Sequence, residues 1–327
     1  VGSWVVVELL RRGHAVRLLA RRPEQVQATF GPHGVDVPDV VVGDVTDPDV
    51  VARALEGCDA AVHAAAVFSL DVRDAEEMAR TNHRAAELVL RGAVASGLDP
   101  VVHVSSTVAL VRHGGSSPDL PIGDMAAFPY ARTKIESERL ARELQQEGHP
   151  VVTVYPGAVV GPRDPYRGEQ SLRLEWIARG RFPAWPAGAM HYVDVRDVAA
   201  VVGAALEPGH GPRRFVVPGH HVDASLLYGT VGRLIGRRRP VVELPAALVP
   251  AALTPVAMLH RVLPRRWRFP ADREGAELLV RDTRVDDSPA REELGVTPVP
   301  WEDSLRDTIS SLVDAGRLPE RYRPLDA

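Results

Sequence analysis

Lysine is almost absent from this sequence. Lysine and arginine together number 39 in 327 residues, and 38 of them are arginine, so Lys134 stands alone. Cysteine is as scarce. Cys58 is the single one, which excludes an internal disulfide and fits a reducing compartment. No run reaches the ~18 apolar residues that a membrane span needs. The opening VGSWVVVELLRRGHAV lacks the basic leader and cleavage site of a signal peptide and reads as an amphipathic helix that begins abruptly. There is no internal repeat and no low-complexity linker. The net charge of −4 gives no reason to expect nucleic acid as a partner. These absences leave a cytoplasmic globular protein as the expectation.

What is present is ordinary in bulk. Hydrophobic content of 45% with 25% charged residues suits a soluble enzyme, and the length suits one large domain or two modest ones. The abundance of Arg, Ala, Val, Pro and Gly points to a GC-rich genome, which explains a general loss of lysine. It does not explain why one lysine was kept. Lys134 follows Tyr130 by four, in FPYARTKIESE, a pairing that chance gives about 2% of the time with 6 tyrosines in the chain.

Positions i and i+4 share a helix face. The run from Tyr130 to Leu144 is rich in helix formers, with Pro129 just ahead where proline costs little. Tyr130 and Lys134 then project side by side. A free phenol has a pKa near ~10, and a close ammonium favours the phenolate. Bringing it toward ~7 requires about 4 kcal/mol. The product is a proton donor or acceptor usable near neutral pH.

The first half alternates apolar β-rich runs with helical stretches. Strands are predicted at Val16–Ala20, Val37–Val42, Ala60–Ala64, Val101–Ser105 and Val151–Tyr155. Helices are predicted at Ser3–Arg12, Pro23–Phe30, Pro48–Leu55, Ala75–Ser96 and Tyr130–Glu147. Strands this apolar, separated by helices, indicate a parallel sheet covered on both faces, a doubly wound α/β domain with its ligand at the carboxyl ends of the strands. After Pro156 the chain becomes Gly-, Pro- and Arg-rich, and the remainder reads as a smaller lid. The expected division is a dinucleotide-binding domain over 1–157, to which 190–207 returns, and a substrate-binding region over 158–189 and 208–327.

Five ordered motifs now carry a resemblance: GDVTD, the HAAA of VHAAAV, VSST, YARTK and YVDVRDVA. Together they resemble the extended short-chain dehydrogenase/reductase family, also described as NAD-dependent epimerases and dehydratases. Within it the chain is most similar to the dihydroflavonol reductase-like and 3β-hydroxysteroid dehydrogenase-like branches. The resemblance implies a Rossmann-type fold and an NAD(P)-dependent oxidoreductase interconverting a ketone or aldehyde and an alcohol. In it Tyr130 is the general acid/base, Lys134 its partner and Thr107 the third catalytic group, with Ser106 as the fallback. Two alternatives stay open: a sugar-nucleotide epimerase or dehydratase, and a catalytically silent nucleotide-binding regulator.

The family opens with a strand and a GxxGxxG turn, whereas VGSWVV matches only the end of that turn, with Gly2 as its third glycine. The expectation is that the sequence is an incomplete version of a longer protein, lacking the first strand and part of the turn, and that it binds dinucleotide poorly as written. Reading the in-frame codons upstream tests this.

Further cofactor contacts follow from the resemblance. Arg21 and Arg22 follow the second strand, where an acid reads NAD and an arginine the 2′-phosphate of NADP; no acid is present, so NADP is expected, with NAD as the alternative. Asp44 and Val45 would border the adenine. Ala64, Ala65 and Ala66 would admit the cofactor backbone, and Pro156 and Gly157 would meet the nicotinamide. Asn82 matches a family asparagine. His191, Tyr192 and Asp194 read as structural, and His220-His221 lacks metal-ligand spacing; no metal is expected. Phe68, Trp176, Phe182 and Trp185 are apolar candidates for the substrate region, and Arg163, Arg167 and Arg173 are candidates for gripping a sugar nucleotide's diphosphate. The segment 244–269 is read as a lid over an apolar substrate, with contact to a membrane surface as the alternative. A homodimer is among the expectations.

Overall fold

The computed structural model describes every residue except 70–71, 113–115, 118, 120, 263–272 and 326–327, and the backbone alone at 72 and 257–262. The first half runs α1 (Gly2–Arg11), β1 (Arg17–Ala20), α2 (Glu24–Phe30), β2 (Asp39–Val42), α3 (Pro48–Leu55), β3 (Ala61–His63), α4 (Ala75–Ala95), β4 (Val101–Val104), α5 (Pro129–Gln146) and β5 (Val151–Tyr155). The second half runs β6 (Ala158–Val160), α6 (Glu169–Ala178), β7 (Ala184–Pro186), β8 (Ala189–Asp194), α7 (Val195–Ala204), β9 (Arg213–Val216), β10 (His220–Asp223), α8 (Ala224–Leu234), β11 (Val242–Leu244), α9 (Val249–Val262), α10 (Arg273–Arg281), α11 (Ser288–Glu293) and α12 (Trp301–Asp314).

The α/β alternation expected from the apolar runs is present, and each predicted element of the first half lies within two residues of its expected limits. Local chemistry sets the ends. Asp47 caps α3, accepting from the Asp49 and Val50 amides, with Pro48 in the first turn. Asp194 caps α7 and Asp223 caps α8 in the same manner.

The parallel strands of the first half, joined by β9, form two sheets, β1-β2 and β3-β4-β5-β9. In the larger one Ala61 pairs with Val101, Val101 with Val151, and Val152 with Arg213. β9 therefore joins the parallel sheet although it lies within the range 208–327. α7 packs across the same sheet, with Val198, Val201 and Val202 against Val5, Leu9, Val102 and Val152. Among the described residues no strand pairs with the facing edges of β1 and β3, and a cavity of about 1750 Å³ opens there. A smaller antiparallel-and-parallel sheet, β10-β8-β6, and the pair β11-β7 belong to the second half. They surround a separate core that includes Leu174, Phe182, Trp185, Leu227, Leu305 and Ile309.

Candidate active site

Two strand ends and one helix build the site. β4 ends at Val104, and the chain then turns through Ser105, Ser106 and Thr107, all buried. β5 ends at Tyr155 and leads into Pro156-Gly157. These two ends are stitched together: the Thr107 amide donates to the Pro156 carbonyl at 2.9 Å, and the Ser106 hydroxyl donates to it at 3.4 Å. α5 crosses beside them and presents Tyr130 from its first turn.

The Ser106 hydroxyl and the Tyr130 phenol face the same cavity, near enough for the hydroxyl to favour the phenolate. Thr107 lines the same cavity. Phe68 packs edge-on against the Tyr130 ring at 4.6 Å between centroids. Lys134 sits with its ammonium 6.0 Å from the ring centroid and donates to the Val104 carbonyl at 3.4 Å. The i, i+4 pairing expected from the spacing is therefore formed.

The electrostatic outcome differs from the expectation. Burial pushes the Tyr130 pKa up, the Ser106 hydroxyl opposes the rise, and the Glu274 carboxylate adds to it. Desolvating a phenolate costs more than an ammonium at this distance returns. Burial also lowers Lys134, to about 8. Behind Lys134, His63 on β3 and His103 on β4 stack at 5.5 Å. Burial first, and Lys134 second, lowers His63 to about 3; His103 is pushed well down by burial, His63 and Lys134. The lysine thus has two neutral rings for neighbours.

The cofactor positions expected from the resemblance converge on one cavity. Gly2, Arg21, Arg22, Asp44, Val45, Ala64, Ala65, Ala66, Thr107, Tyr130 and Gly157 all line it. Lys134 and Pro156 are buried behind the wall. Asp44 accepts from the Thr46 amide at 2.9 Å and hydroxyl at 2.7 Å, which lowers its pKa. Arg21 and Arg22 are exposed. A side chain at Gly157 would bring its Cβ within 2.2 Å of the His191 carbonyl, so only glycine lets this turn pass β8. Asn82 binds the backbone of Val67, accepting at 2.7 Å and donating at 2.9 Å, and donates to Thr133 on α5 at 3.3 Å.

The residues read as structural each have a partner within the fold, and His191 also lines the large cavity. The Asp194 carboxylate holds the start of α7, Arg196 and Ser304. His191 Nε2 meets the Val217 carbonyl, and Tyr192 is in the second core. His220 contacts the Val299 carbonyl and His221 contacts Asp282. No cluster of metal-ligating side chains occurs among the described residues. Of the arginines considered for a diphosphate, Arg167 is paired with Glu175 at 2.5 Å and Arg163 lies over the Trp4 ring. Arg173 is buried.

A second cavity, of about 180 Å³, adjoins the first at Arg173 and Gly275. Phe182, Trp185, Leu244, Val249, Leu253, Val256 and Leu279 line it. Of the expected aromatic candidates, Phe182 and Trp185 are thus here, Phe68 is in the larger cavity, and Trp176 packs against the second core. Residues 263–269 of the expected lid lie outside the described residues. No described helix is long and apolar enough to cross a membrane.

Two acids were missed by the sequence reading. Glu274, on α10, accepts from the Tyr130 amide at 3.2 Å and the Ala131 amide at 2.7 Å. Glu138, two helical turns beyond Tyr130, accepts from Tyr155 at 2.6 Å and Arg142 at 2.7 Å. A separation of 144 residues hides the first; the i, i+4, i+8 stripe Tyr130, Lys134, Glu138 could have revealed the second.

Comparison with known proteins gives the family. A profile of the NAD dependent epimerase/dehydratase family matches residues 1–217. The sterol demethylase protein B of Methylococcus capsulatus is 30% identical, over 97% of this chain and 97% of its own. The 4-hydroxy-2-methyl-3-oxo-4-farnesyl-3,4-dihydroquinoline-1-oxide ketoreductase of Stigmatella aurantiaca is 28% identical over 98% and 96%. The solved structure of gox2253 superposes with a TM-score of 0.80 at 27% identity, covering 97% of this chain and 96% of that one. With the family profile spanning two thirds of its length and the five motifs gathered at one cavity, the chain belongs to the NAD dependent epimerase/dehydratase family of enzymes.

Proposed function

We propose that this enzyme interconverts a ketone and a secondary alcohol on an apolar substrate, with Tyr130 as the proton-transfer group. The observation that carries the reading is the gathering of Ser106, Thr107 and Tyr130 on one cavity wall, with the Lys134 ammonium 6.0 Å from the ring. A nicotinamide dinucleotide, when bound, supplies or accepts the hydride. The alanines at the end of β3 and Gly157 give its backbone room, and Arg21 and Arg22 would favour the 2′-phosphate of NADP. The chain's own residues handle the proton. Tyr130, kept protonated by burial, donates to the substrate oxygen in the reductive direction. Ser106 and Thr107 hold that oxygen by hydrogen bonds, as hydroxyls can both donate and accept. Lys134 supplies the positive charge that offsets a transient phenolate.

The apolar second cavity supports the substrate class. Its lining is hydrocarbon and aromatic, and α9 closes one side of it, in keeping with the lid reading of 244–269. The names of the two relatives, one a sterol enzyme and one a ketoreductase of a farnesylated ring, also specify bulky apolar molecules. Engagement of Arg163 and Arg167 by other side chains weighs against a sugar nucleotide.

The test follows oxidation of NADPH and NADH against apolar ketones, aldehydes and sugar nucleotides. Expected is net oxidation with apolar ketones, reduced about 10²–10⁴-fold in Tyr130→Phe with cofactor affinity retained. Interconversion of a sugar nucleotide without net cofactor change, or a Tyr130→Phe enzyme at near full rate, overturns the reading.

A further inference from the structure

We infer that Glu274 is a positioning residue that fastens the catalytic turn of α5 to the C-terminal helix α10, so that the placing of Tyr130 and the closing of the apolar pocket are one event. The argument begins with the helix end. The first amides of a helix have no intrahelical acceptor. Most helices meet this need with a local polar cap, but α5 has Phe128 at the cap position and no side-chain cap of its own. Pro129 has no N–H, so Tyr130 and Ala131 carry the first amides to be satisfied. One carboxylate from far along the chain takes both, Oε2 from Tyr130 and Oε1 from Ala131.

The arrangement is buried. Glu274 is 6% exposed and Ala131 0%. A carboxylate in such a place is costly unless hydrogen-bonded, and the positive end of a helix suits it. α10 also reaches the substrate region. Leu278 packs with Tyr130 and Phe128 around Met125, while Gly275, Ala276 and Leu279 line the apolar pocket. A molecule filling that pocket therefore presses on the helix whose second residue holds the Tyr130 backbone.

Among the described residues, two helices bring charges near the phenol. Lys134, on α5, stands 6.0 Å from the ring and favours the phenolate. Glu274, on α10, opposes it. Ser106 from the β4 end contributes a hydroxyl, and Phe68 a hydrocarbon edge. Removing the Glu274 charge makes the phenol easier to ionise.

This inference rests on Tyr130 being the proton-transfer group, and the two fail separately. A Tyr130→Phe enzyme at full turnover defeats that reading, whereas ionisation at position 130 can be read without any substrate. The probe is 3,5-difluorotyrosine placed at position 130, its ionisation followed by fluorine NMR in the parent and in Glu274→Gln. The glutamine keeps an acceptor oxygen and loses the charge. Expected is ionisation about one pH unit lower in Glu274→Gln, with the alkaline limb of the reductive pH profile moving by the same amount. Glu274→Asp keeps the charge one methylene short of the amides. Expected there is a kcat reduced about tenfold, with KM for the apolar ketone raised and the position-130 titration unmoved. A titration and a pH limb unchanged in Glu274→Gln overturn the inference. If that variant does not fold, an unchanged kcat in Glu274→Asp overturns it instead.

Discussion

The Tyr155 hydroxyl donates to Glu138 at 2.6 Å, tying the strand that leads into Pro156-Gly157 to the helix that carries Tyr130 and Lys134. Arg142 donates to the same oxygen at 2.7 Å, and Ser105 donates to the other at 3.4 Å. One carboxylate with no exposed surface thus gathers the ends of β4 and β5 onto α5.

Glu138→Gln leaves Arg142 without its anion and one oxygen fewer for three donors. Breaking a buried ion pair from one side costs about 3–5 kcal/mol. The Arg142 side chain is 14% exposed and can turn to water, so the expected loss lies just below that range, about 2–3 kcal/mol by urea denaturation. Tyr155→Phe is expected to lose about 1 kcal/mol, and the double variant less than the sum. A neutral Glu138→Gln shows that the network does not stabilise the fold.

Lys134 gives stability a pH signature. Burial lowers its pKa to about 8 from an ordinary 10.5. Between those values the unfolded chain binds a proton that the folded chain does not. Stability from this group therefore rises with pH across about 8 to 10.5, by ~3 kcal/mol at most. Lys134→Met should lack the rise, as seen in the difference between the two proteins' stability curves against pH. Parallel curves through that window refute the assignment. Lys134→Arg keeps charge but not the compact amine, and at a site only 7% exposed the larger planar fork must displace its neighbours. Turnover is expected to fall about 100-fold or more.

Arg21→Ser with Arg22→Ser should weaken NADPH binding about 10–100-fold and leave NADH binding within about twofold, by fluorescence titration. Both guanidiniums are exposed, so folding is expected to be unaffected. Equal losses for the two dinucleotides mean that these arginines do not read the 2′-phosphate.

Asp197 predicts an acid-side effect of opposite sign. Burial raises its carboxyl to about 7, although the Val299 amide donates to it. Its folded pKa is above the unfolded 3.8, so the folded chain binds the extra proton, and this stability is lost as pH rises from about 4 to 7. Asp197→Asn keeps an acceptor for Val299 and removes the charge. Its Tm should exceed the parent's by ~2 °C or more at pH 8, with a smaller gap at pH 5. The reverse order refutes the shift.

Much of the fold was legible in the sequence because its signals are local. The runs Val101–Val104 and Val151–Tyr155 are too apolar for any place but a covered sheet, and Asp47-Pro48 announces its helix by cap and first turn. The Tyr130–Lys134 pair was legible for the same reason, since four residues make one helical face. Ser106 was less so. Three adjacent hydroxyls look alike in sequence, and only the turn after β4 decides that Ser106 and Thr107 face the cavity with the phenol.

The sequence by itself determined the elements, the parallel order and the pairing of the lone lysine with a tyrosine, all set by spacing and side-chain type over short distances. Tertiary structure alone decided the rest. It brought Glu274 to the start of α5, put Glu138 between two strand ends, and left Tyr130 half-buried on the cavity wall, where desolvation outweighs the ammonium. Burial and charge at a point depend on what packs there from remote segments, and no local spacing encodes that.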